Sequence, residues 1–350
     1  MDELTLLRRL DADTAAPTKA ALTDAFDALN DRITAAEQRG EKHVAKRRRA
    51  VHVRRTLVMT LAAAAVVVGL VMTDTIGVAG LRPGASAEAA ELLDNAAVDT
   101  IRTADPVVRP GQYLAITTDH VNLNSDTSGD TQLRWLDRGT DTTYIPYDRH
   151  DEWSLVRSPE EPVDFFSTAA KKHALLQYAS TRERYDGKNE LIRGRDGNFY
   201  GTPADEADFA ALPRDPRVLL NRIYRTTLGQ GQSPDGVALE WIAGQLRTGI
   251  VPADLRAAMY RAAALIPGVT ITEKETVLDG RTGVAIGRVE PTTGARVEIV
   301  IEPQTGLMIG ERRVATRTGY GIPAGKVTES SAVTVKVVDT APTGPEHRVN

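Results

Sequence analysis

The chain contains no cysteine among its 350 residues. That absence excludes disulfide bonds, thiolate metal sites and cysteine nucleophiles, and it leaves the redox state of the surrounding compartment open. The six histidines show neither a His-Glu-x-x-His motif nor another paired spacing typical of zinc ligands. The sequence therefore predicts no metal site and no bound cofactor.

Catalytic motifs are absent as well. No Gly-x-Ser-x-Gly element occurs, and the glycine-rich run 319–326 lacks the first glycine and the Ser or Thr of a phosphate-binding loop. Segment 119–130 carries oxygen donors but not the central glycine and closing glutamate of a calcium loop, so we interpret it as a polar hairpin loop. The three tryptophans (Trp135, Trp153 and Trp241) are compatible with a groove or with a core. We therefore expect a protein that is not an enzyme.

What the sequence does contain is an uncharged apolar run of 18 residues, 56–73. As a helix it would cover roughly 27 Å, close to the thickness of a bilayer core. Six basic residues stand directly before it: Lys46, Arg47, Arg48, Arg49, Arg54 and Arg55. Because Lys and Arg accumulate on the cytoplasmic side, the pattern predicts a single-pass protein of a bacterial cell membrane, with residues 1–55 in the cytoplasm and the C-terminal part outside.

A cleaved signal peptide is the alternative interpretation of the apolar run, since residues 85–87 form a small-x-small pattern. The patterned region of 55 residues before the run favours a retained anchor, and so does the distance from the run to this pattern. The basic residues are expected to contact anionic lipid head groups, and no direct contact with nucleic acid is expected.

The predicted cytoplasmic tail, 1–55, carries one apolar stripe. Leu22, Phe26, Leu29 and Ile33 recur at spacings of 4, 3 and 4, which places them on one face of a helix. A tail of this length cannot bury that stripe by itself, so the stripe needs a partner. A helical hairpin or homodimeric coiled coil is one alternative, and a docking surface for a cytoplasmic protein is the other.

The part after the span is the only one large enough for a sizeable folded domain. A small-residue linker, 74–85, is followed by five segments with helical periodicity: 86–103, 164–182, 214–227, 237–247 and 252–266. Strand patterns bounded by turn residues occupy 112–118, 131–137, 142–147, 152–157, 269–278, 282–290, 295–301, 307–316 and 331–338. We expect residues 183–211 to be mostly loop and 340–350 to be a flexible tail. The sequence thus predicts an α+β domain over 86–339, an antiparallel sheet with helices packed on one face.

Several stretches carry a resemblance to known proteins. They are residues 1–10 (MDELTLLRRL), the basic run with the apolar run behind it, 212–220 (LPRDPRVLL), and the stretch from 265–269 (LIPGV) through 303–311 (PQTGLMIGE). Together they resemble a family of actinobacterial single-pass membrane proteins, often encoded beside extracytoplasmic-function sigma factors. The chain departs from zinc-type anti-sigma factors, because it has no cysteine.

The resemblance implies an outer domain similar to the half-barrels of periplasmic lipoprotein carriers and sigma-regulatory sensors, with an apolar hollow. It also implies an envelope sensor whose tail acts on a sigma factor or another regulator. The alternative is a membrane-anchored binding module or carrier for a lipid, a lipopeptide or a protein.

Overall fold

A computed structural model of the chain describes residues 82–129, 131–186, 188–199 and 209–348. The predicted span 56–73 lies outside the described residues. The same holds for the predicted site residues of the tail: Leu22, Phe26, Leu29, Ile33, Lys46, Arg47, Arg48, Arg49, Arg54 and Arg55. Within the described ranges, no helix combines the length and the apolar composition that a membrane crossing requires.

Five helices lie in the described part of the chain, close to the positions that the sequence predicts. They are α1 (Ala87–Arg102), α2 (Thr168–Arg184), α3 (Pro216–Thr226), α4 (Pro234–Arg247) and α5 (Ala253–Ala264). The first four begin at an N-cap side chain that accepts a backbone N–H of the first turn: Ser86, Ser167, Asp215 and Ser233. In α3 and α4 a proline also occupies the first turn, where its fixed φ suits the helix.

Ten strands of the described residues form one antiparallel sheet, which confirms the predicted α+β class. They are β1 (Tyr113–Ser128), β2 (Thr131–Pro146), β3 (Glu152–Arg157), β4 (Glu161–Phe165), β5 (Glu190–Arg195), β6 (Thr270–Leu278), β7 (Arg281–Glu290), β8 (Ala295–Glu302), β9 (Leu307–Ala315) and β10 (Val327–Val338). The order across the sheet is β5-β3-β2-β1-β10-β9-β8-β7-β6, and β4 pairs with β2. The pairing of β1 with β10 therefore joins an N-terminal half-sheet to a C-terminal one.

The first hairpin differs from the sequence prediction. β1 continues to Ser128 through the predicted polar loop 119–130, and β2 is one strand where the sequence predicts two. The two strands pair along their full length. In the distal part of β1 the apolar residues are Val121 and Leu123, which alternate with polar side chains, and Ser125 to Ser128 are all polar, so the apolar pattern is too short to separate a strand from a polar loop.

Helices α1, α3, α4 and α5 pack on the C-terminal half of the sheet around the largest hydrophobic core of the described residues. The sheet contributes Ile286, Ile299 and Ile301 to this core, all at most 1% exposed. Leu239 and Ile242 place one face of α4 in it. Since each buried side chain of this size contributes about 1.5–3 kcal/mol, α4 is firmly held against the sheet.

Helix α2 packs separately, on the N-terminal half of the sheet. Its Ala170 and Ala174 contact Leu133 and Trp135 of β2, together with Phe165 of β4. These two alanines are the buried residues of α2. The helix is therefore held mainly through its N-terminal half.

Both ends of the described domain are tied to it. The backbone N–H groups of Ala85 and Ser86 donate to carbonyl oxygens of Ala264 and Val269, each at 2.9 Å. Residues 340–348 run along β5, where Leu191 and His347 exchange backbone hydrogen bonds of 2.8 and 2.9 Å. The C-terminal residues thereby cover an edge strand that would otherwise present unpaired backbone groups.

Candidate ligand-binding cavity

A cavity of about 1300 Å³ lies between the sheet and helices α2 and α4. Strands β1, β2, β3, β9 and β10 form its floor, and one face of each helix forms a wall. Protein interiors are close-packed, and ligand pockets usually measure about 300–1,000 Å³. The cavity therefore has room for a sizeable ligand.

The two-residue period of the strands builds the floor. On β1 the side chains of Leu114, Ile116, Thr118, His120 and Asn122 share one face. This series changes from apolar to polar along the strand.

Neighbouring strands repeat the same change in register. The pairs between β1 and β2 are Leu114 with Ile145, Ile116 with Thr143, Thr118 with Asp141, His120 with Gly139, and Asn122 with Asp137. On the other side of β1, β10 places Val335, Val333 and Ser331 against Ile116, Thr118 and His120. Rows of side chains thus cross the floor about 6.7 Å apart, apolar at one end of the cavity and polar at the other.

The apolar end is a small core of its own. Leu114, Ile116, Ile145, Trp153 and Val333 are each at most 7% exposed and pack together. The indole N–H of Trp153 donates to a backbone carbonyl at 2.8 Å, which fixes the ring with its polar atom satisfied. An apolar chain placed here would meet a preformed hydrocarbon surface.

Ion pairs occupy much of the polar end. Arg313 of β9 binds two carboxylates, Glu240 of α4 at 2.9 Å and Glu329 of β10 at 3.2 Å. Arg247 of α4 lies 3.3 Å from Glu311 of β9. These contacts tie α4 to the sheet across the cavity floor.

Two further charged pairs lie toward β2 and β3. Arg157 of β3 is 3.3 Å from Asp141 of β2. His120 Nε2 is 3.4 Å from Glu160 Oε1, and the His120 side chain is only 15% exposed. A Cβ on Gly139 would lie 2.7 Å from that nitrogen, so glycine at this position makes room for the imidazole.

The environment shifts the pKa of several lining groups. The hydrogen bond that His120 donates to Glu160 raises the pKa of His120 and lowers the pKa of Glu160. Burial raises the pKa of Asp137, against hydrogen bonds from Trp135 and Asn124. Burial also raises the pKa of Glu311, against the charge of Arg247. The polar end is thus a place where negative charge is only partly solvated.

The two walls are single helical faces. Ala174, Gln177, Tyr178, Thr181 and Tyr185 line the cavity at the spacing of one face of α2 and its C-cap. On α4 the lining residues are Glu240, Gly244 and Arg247, opposite the face that enters the main core. The α2 wall is therefore held by few buried contacts, whereas the α4 wall is fixed to the main core.

Few of the residues that line the cavity carry a recognisable signal in the sequence. Trp135 and Trp153 do line the cavity, whereas Trp241 packs against the main core. Asn122 and Asn124, two of the oxygen donors in segment 119–130, lie on the cavity floor. In the described part of the chain, no three His, Asp or Glu side chains are grouped so that they could hold a metal ion. The signal that could have revealed the floor is the graded polarity of alternate residues on β1.

The lining also differs from the apolar hollow that the family resemblance implies. Six carboxylates contribute to it: Asp137, Asp141, Glu160, Glu240, Glu311 and Glu329. Carboxylates stay ionised only where they are solvated or paired, so an entirely apolar ligand would not match this end.

Comparisons with known proteins give a weak result. No protein-family model and no curated protein sequence matches the chain. Among solved structures, the Pseudomonas aeruginosa MucA/MucB complex aligns with 12% identity and a TM-score of 0.27, over 73% of this chain and 59% of that chain. MucB in complex with MucA(peri) aligns with 10% identity and a TM-score of 0.26, over 73% and 57%. A DUF1329 family protein from Desulfovibrio piger aligns with 8% identity and a TM-score of 0.19, over 71% and 92%.

The chain spans less than two thirds of the MucB structures that it matches. All three TM-scores lie below 0.5, so these similarities carry no argument about function.

Proposed function

We propose that this chain is a membrane-anchored envelope sensor without catalytic activity. In this proposal the domain after residue 86 lies outside the cytoplasm and binds an amphipathic ligand in the cavity. The tail 1–55 passes the binding state to a cytoplasmic transcription regulator of the sigma-factor type. The observation that carries the proposal is the polarity gradient of the floor, from Ile116 and Ile145 to Asn122 and Asp137.

The gradient favours a ligand with two chemically different ends. An apolar ligand would leave the charged pairs of Arg313, Arg247 and Arg157 beside a surface that cannot solvate them, which is costly. A fully polar ligand would leave the end around Trp153 and Ile145 without apolar contact. An amphiphile satisfies both ends.

Helix α4 offers a physical link between the cavity and the predicted membrane anchor. Its Glu240 and Arg247 contact the polar end of the cavity floor, while Asp235 in its first turn binds Arg82, which lies within the predicted linker 74–85. A ligand that displaces the α4 contacts would therefore act on the segment that leads to the span.

Co-purification tests whether the cavity is occupied. A Cβ on Gly244 would point into open space, so Gly244→Phe places a large side chain in the cavity while Gly244→Ala leaves it open at the same position. We would purify the full chain from its native membranes and identify bound molecules by mass spectrometry. A species retained by wild type and Gly244→Ala, and reduced about tenfold or more in Gly244→Phe, supports binding in the cavity. Equal retention in Gly244→Phe would contradict it.

Transcript profiling tests the signalling half. The control is a chain in which Leu22, Phe26, Leu29 and Ile33 are all changed to Ser. A sensor predicts that this chain and Gly244→Phe alter an overlapping set of transcripts. A pulldown of the full chain, with the serine variant beside it, would then identify the regulator.

A second candidate function is a carrier or binding module whose tail serves only as an anchor. The specific observation in its favour is that α2 is held mainly through Ala170 and Ala174, which would let it move aside for ligand exchange. For a carrier, Gly244→Phe loses the ligand but neither variant changes transcription.

A further inference from the structure

We infer that the polar end of the cavity binds a positively charged group, so that the ligand is an amphiphile with a cationic head. This inference rests on the proposed function, because it names the ligand class of the same cavity. It follows from the charges of the lining, from the aromatic side chains among them and from the position of the apolar end.

Carboxylates outnumber the guanidinium groups that face the cavity. Of the four arginines in the lining, Arg312 directs its guanidinium to the buried Glu298, at 2.6 and 2.9 Å, and to Thr276. The three others are Arg157, Arg247 and Arg313. Six carboxylates therefore share three guanidinium groups and one histidine.

The surplus negative charge is concentrated at one place. The ion pairs of the three arginines engage Asp141, Glu311, Glu240 and Glu329. Among the described residues, the ion pair of Glu160 is with His120, with the charge of Arg157 acting on it from a greater distance, and Asp137 forms none with an arginine or a lysine. Asp137 accepts a hydrogen bond from Asn124 at 2.8 Å, and Glu160 faces His120. The head group is therefore expected between these two carboxylates.

Aromatic side chains lie beside this surplus. Trp135 is on the same face of β2 as Asp137 and turns its N–H edge to that carboxylate. Tyr178 lines the cavity from α2, and the guanidinium carbon of Arg182 already lies 6.0 Å from its ring centre. The faces of such rings attract cations, by about 0.5–2 kcal/mol depending on solvation. Carboxylates together with aromatic faces favour an ammonium or guanidinium group over a neutral head.

The alternative ligand is an amphiphile with the same tail and an anionic head group. Arg247 and Arg313 could attract it, but each is already paired with lining carboxylates. An anion would have to displace a carboxylate, which would then stay in a poorly solvated place. Burial already raises the pKa of Asp137 and Glu311, so these groups gain from an added positive charge and lose from a negative one.

The distance between the ends sets the shape of the ligand. From His120, which faces Glu160, to Ile116 the strand spans four residues, or about 13 Å. The tail must therefore extend well beyond the head to reach Ile116, Ile145 and Trp153. A compact cation without a tail would leave the apolar end empty.

The test compares three amphiphiles that share a decyl chain: decyltrimethylammonium, decanoate and decyl maltoside. Each is titrated calorimetrically, below its micelle concentration, into the full chain in lipid nanodiscs, with empty nanodiscs as the blank. The variant Asp137→Asn/Glu160→Gln removes the two carboxylates. The variant Glu91→Gln/Glu183→Gln removes two carboxylates from exposed positions of α1 and α2 outside the lining.

We expect the cationic amphiphile to bind wild type about tenfold or more tightly than the neutral one, and decanoate to bind no better than the neutral one. The Asp137→Asn/Glu160→Gln variant should lose this preference and keep its affinity for decyl maltoside. The Glu91→Gln/Glu183→Gln variant should behave as wild type does.

Equal affinity of wild type for all three probes, or a preference for decanoate, would overturn the inference and leave the proposed function standing. No binding of any probe above the blank would reject amphiphile binding itself. If the double variant does not fold, Glu160→Gln alone serves, since that side chain is 44% exposed and its loss leaves the packing intact. It should reduce the preference, and an unchanged preference would count against the cationic head.

Discussion

Nη2 of Arg82 donates to both carboxylate oxygens of Asp235, at 3.0 and 2.9 Å. The two residues are separated by 153 positions in the chain, and the Asp235 side chain is only 4% exposed. Tyr224 donates its hydroxyl to the same carboxylate at 2.8 Å, and Arg288 lies 3.7 Å from it. The C-terminal part of the predicted linker is thereby fixed to the first turn of α4.

Loss of the Asp235 charge should destabilise the domain strongly. Asp235→Asn would remove the negative charge that binds the partly buried Arg82, while Arg288 would keep its ion pair with Glu290. Breaking a buried ion pair typically costs 3–5 kcal/mol, so we expect the free energy of unfolding to fall by about 3 kcal/mol. Urea unfolding of the full chain in detergent, followed by tryptophan fluorescence, measures this change.

The exposed pair of Arg214 and Asp254 provides the control for this measurement. It has a comparable distance, 2.8 Å, but the Asp254 side chain is 59% exposed. Because water screens such pairs, Asp254→Asn should cost less than about 1 kcal/mol. Equal costs for the two variants would show that the Arg82–Asp235 contact is not a buried link.

The C-terminal half of the sheet could be predicted from sequence because its turns carry local signals. Asp279 and Gly280 both adopt positive φ, 49° and 73°, as a tight hairpin requires. Gly294 and Gly306 also have positive φ, at the two other predicted turns. The strands between these turns have buried side chains on one face, so the period of two is visible.

The cavity could not be predicted in the same way. On β1 His120, Asn122 and Asn124 face a polar cavity rather than a core, and only Val121 and Leu123 on the opposite face are apolar, so this part of the strand resembles a polar loop. β5 is specified by its pairing with β3, between residues far apart in sequence, and Glu190 and Arg193 give it no apolar alternation. The ion pair of Arg313 with Glu240 forms because α4 crosses β9 in the folded protein. The spacing of residues along the sequence does not indicate this crossing.

The pair of His120 and Glu160 should stabilise the domain over a limited pH range. The folded pKa of His120 is raised, so its contribution is complete below the unfolded value of about 6.5 and is lost as pH rises through the folded value. The folded pKa of Glu160 is lowered, so its contribution is present above the unfolded value of about 4.5 and is lost as pH falls through the folded value. Both groups contribute fully between about pH 4.5 and 6.5.

Urea unfolding of wild type and His120→Gln at pH 5.5 and 8.5 tests this expectation. Because Glu160 is partly exposed, the cost of the substitution should be greater at pH 5.5 by no more than about 1 kcal/mol. Gly139→Ala should act in the same direction, since its Cβ would push His120 from Glu160. A cost that is equal at both pH values would contradict the role of the pair.

Helix α2 should exchange its amide hydrogens faster than α5. Only two residues of α2 are buried, whereas most of α5 lies in the main core, including Leu255, Met259 and Tyr260. Hydrogen-exchange mass spectrometry of the full chain should show exchange about tenfold or more faster in α2, because few contacts oppose its opening. A cavity ligand should slow α2 selectively. Equal protection of the two helices without ligand would contradict the view of α2 as a movable wall.

A substitution at the apolar end should weaken amphiphiles without changing their head-group preference. Ile116→Thr keeps a β-branched residue in the strand but replaces apolar volume with a hydroxyl, at a position that is 7% exposed. We expect the affinities for decyltrimethylammonium and decyl maltoside to fall together, by about tenfold, because both place the same chain on this surface. Val121→Thr makes a matched change on the opposite face of β1 and should leave both affinities unchanged. If Ile116→Thr weakened only the cationic probe, the head and the tail would not occupy separate ends of the cavity.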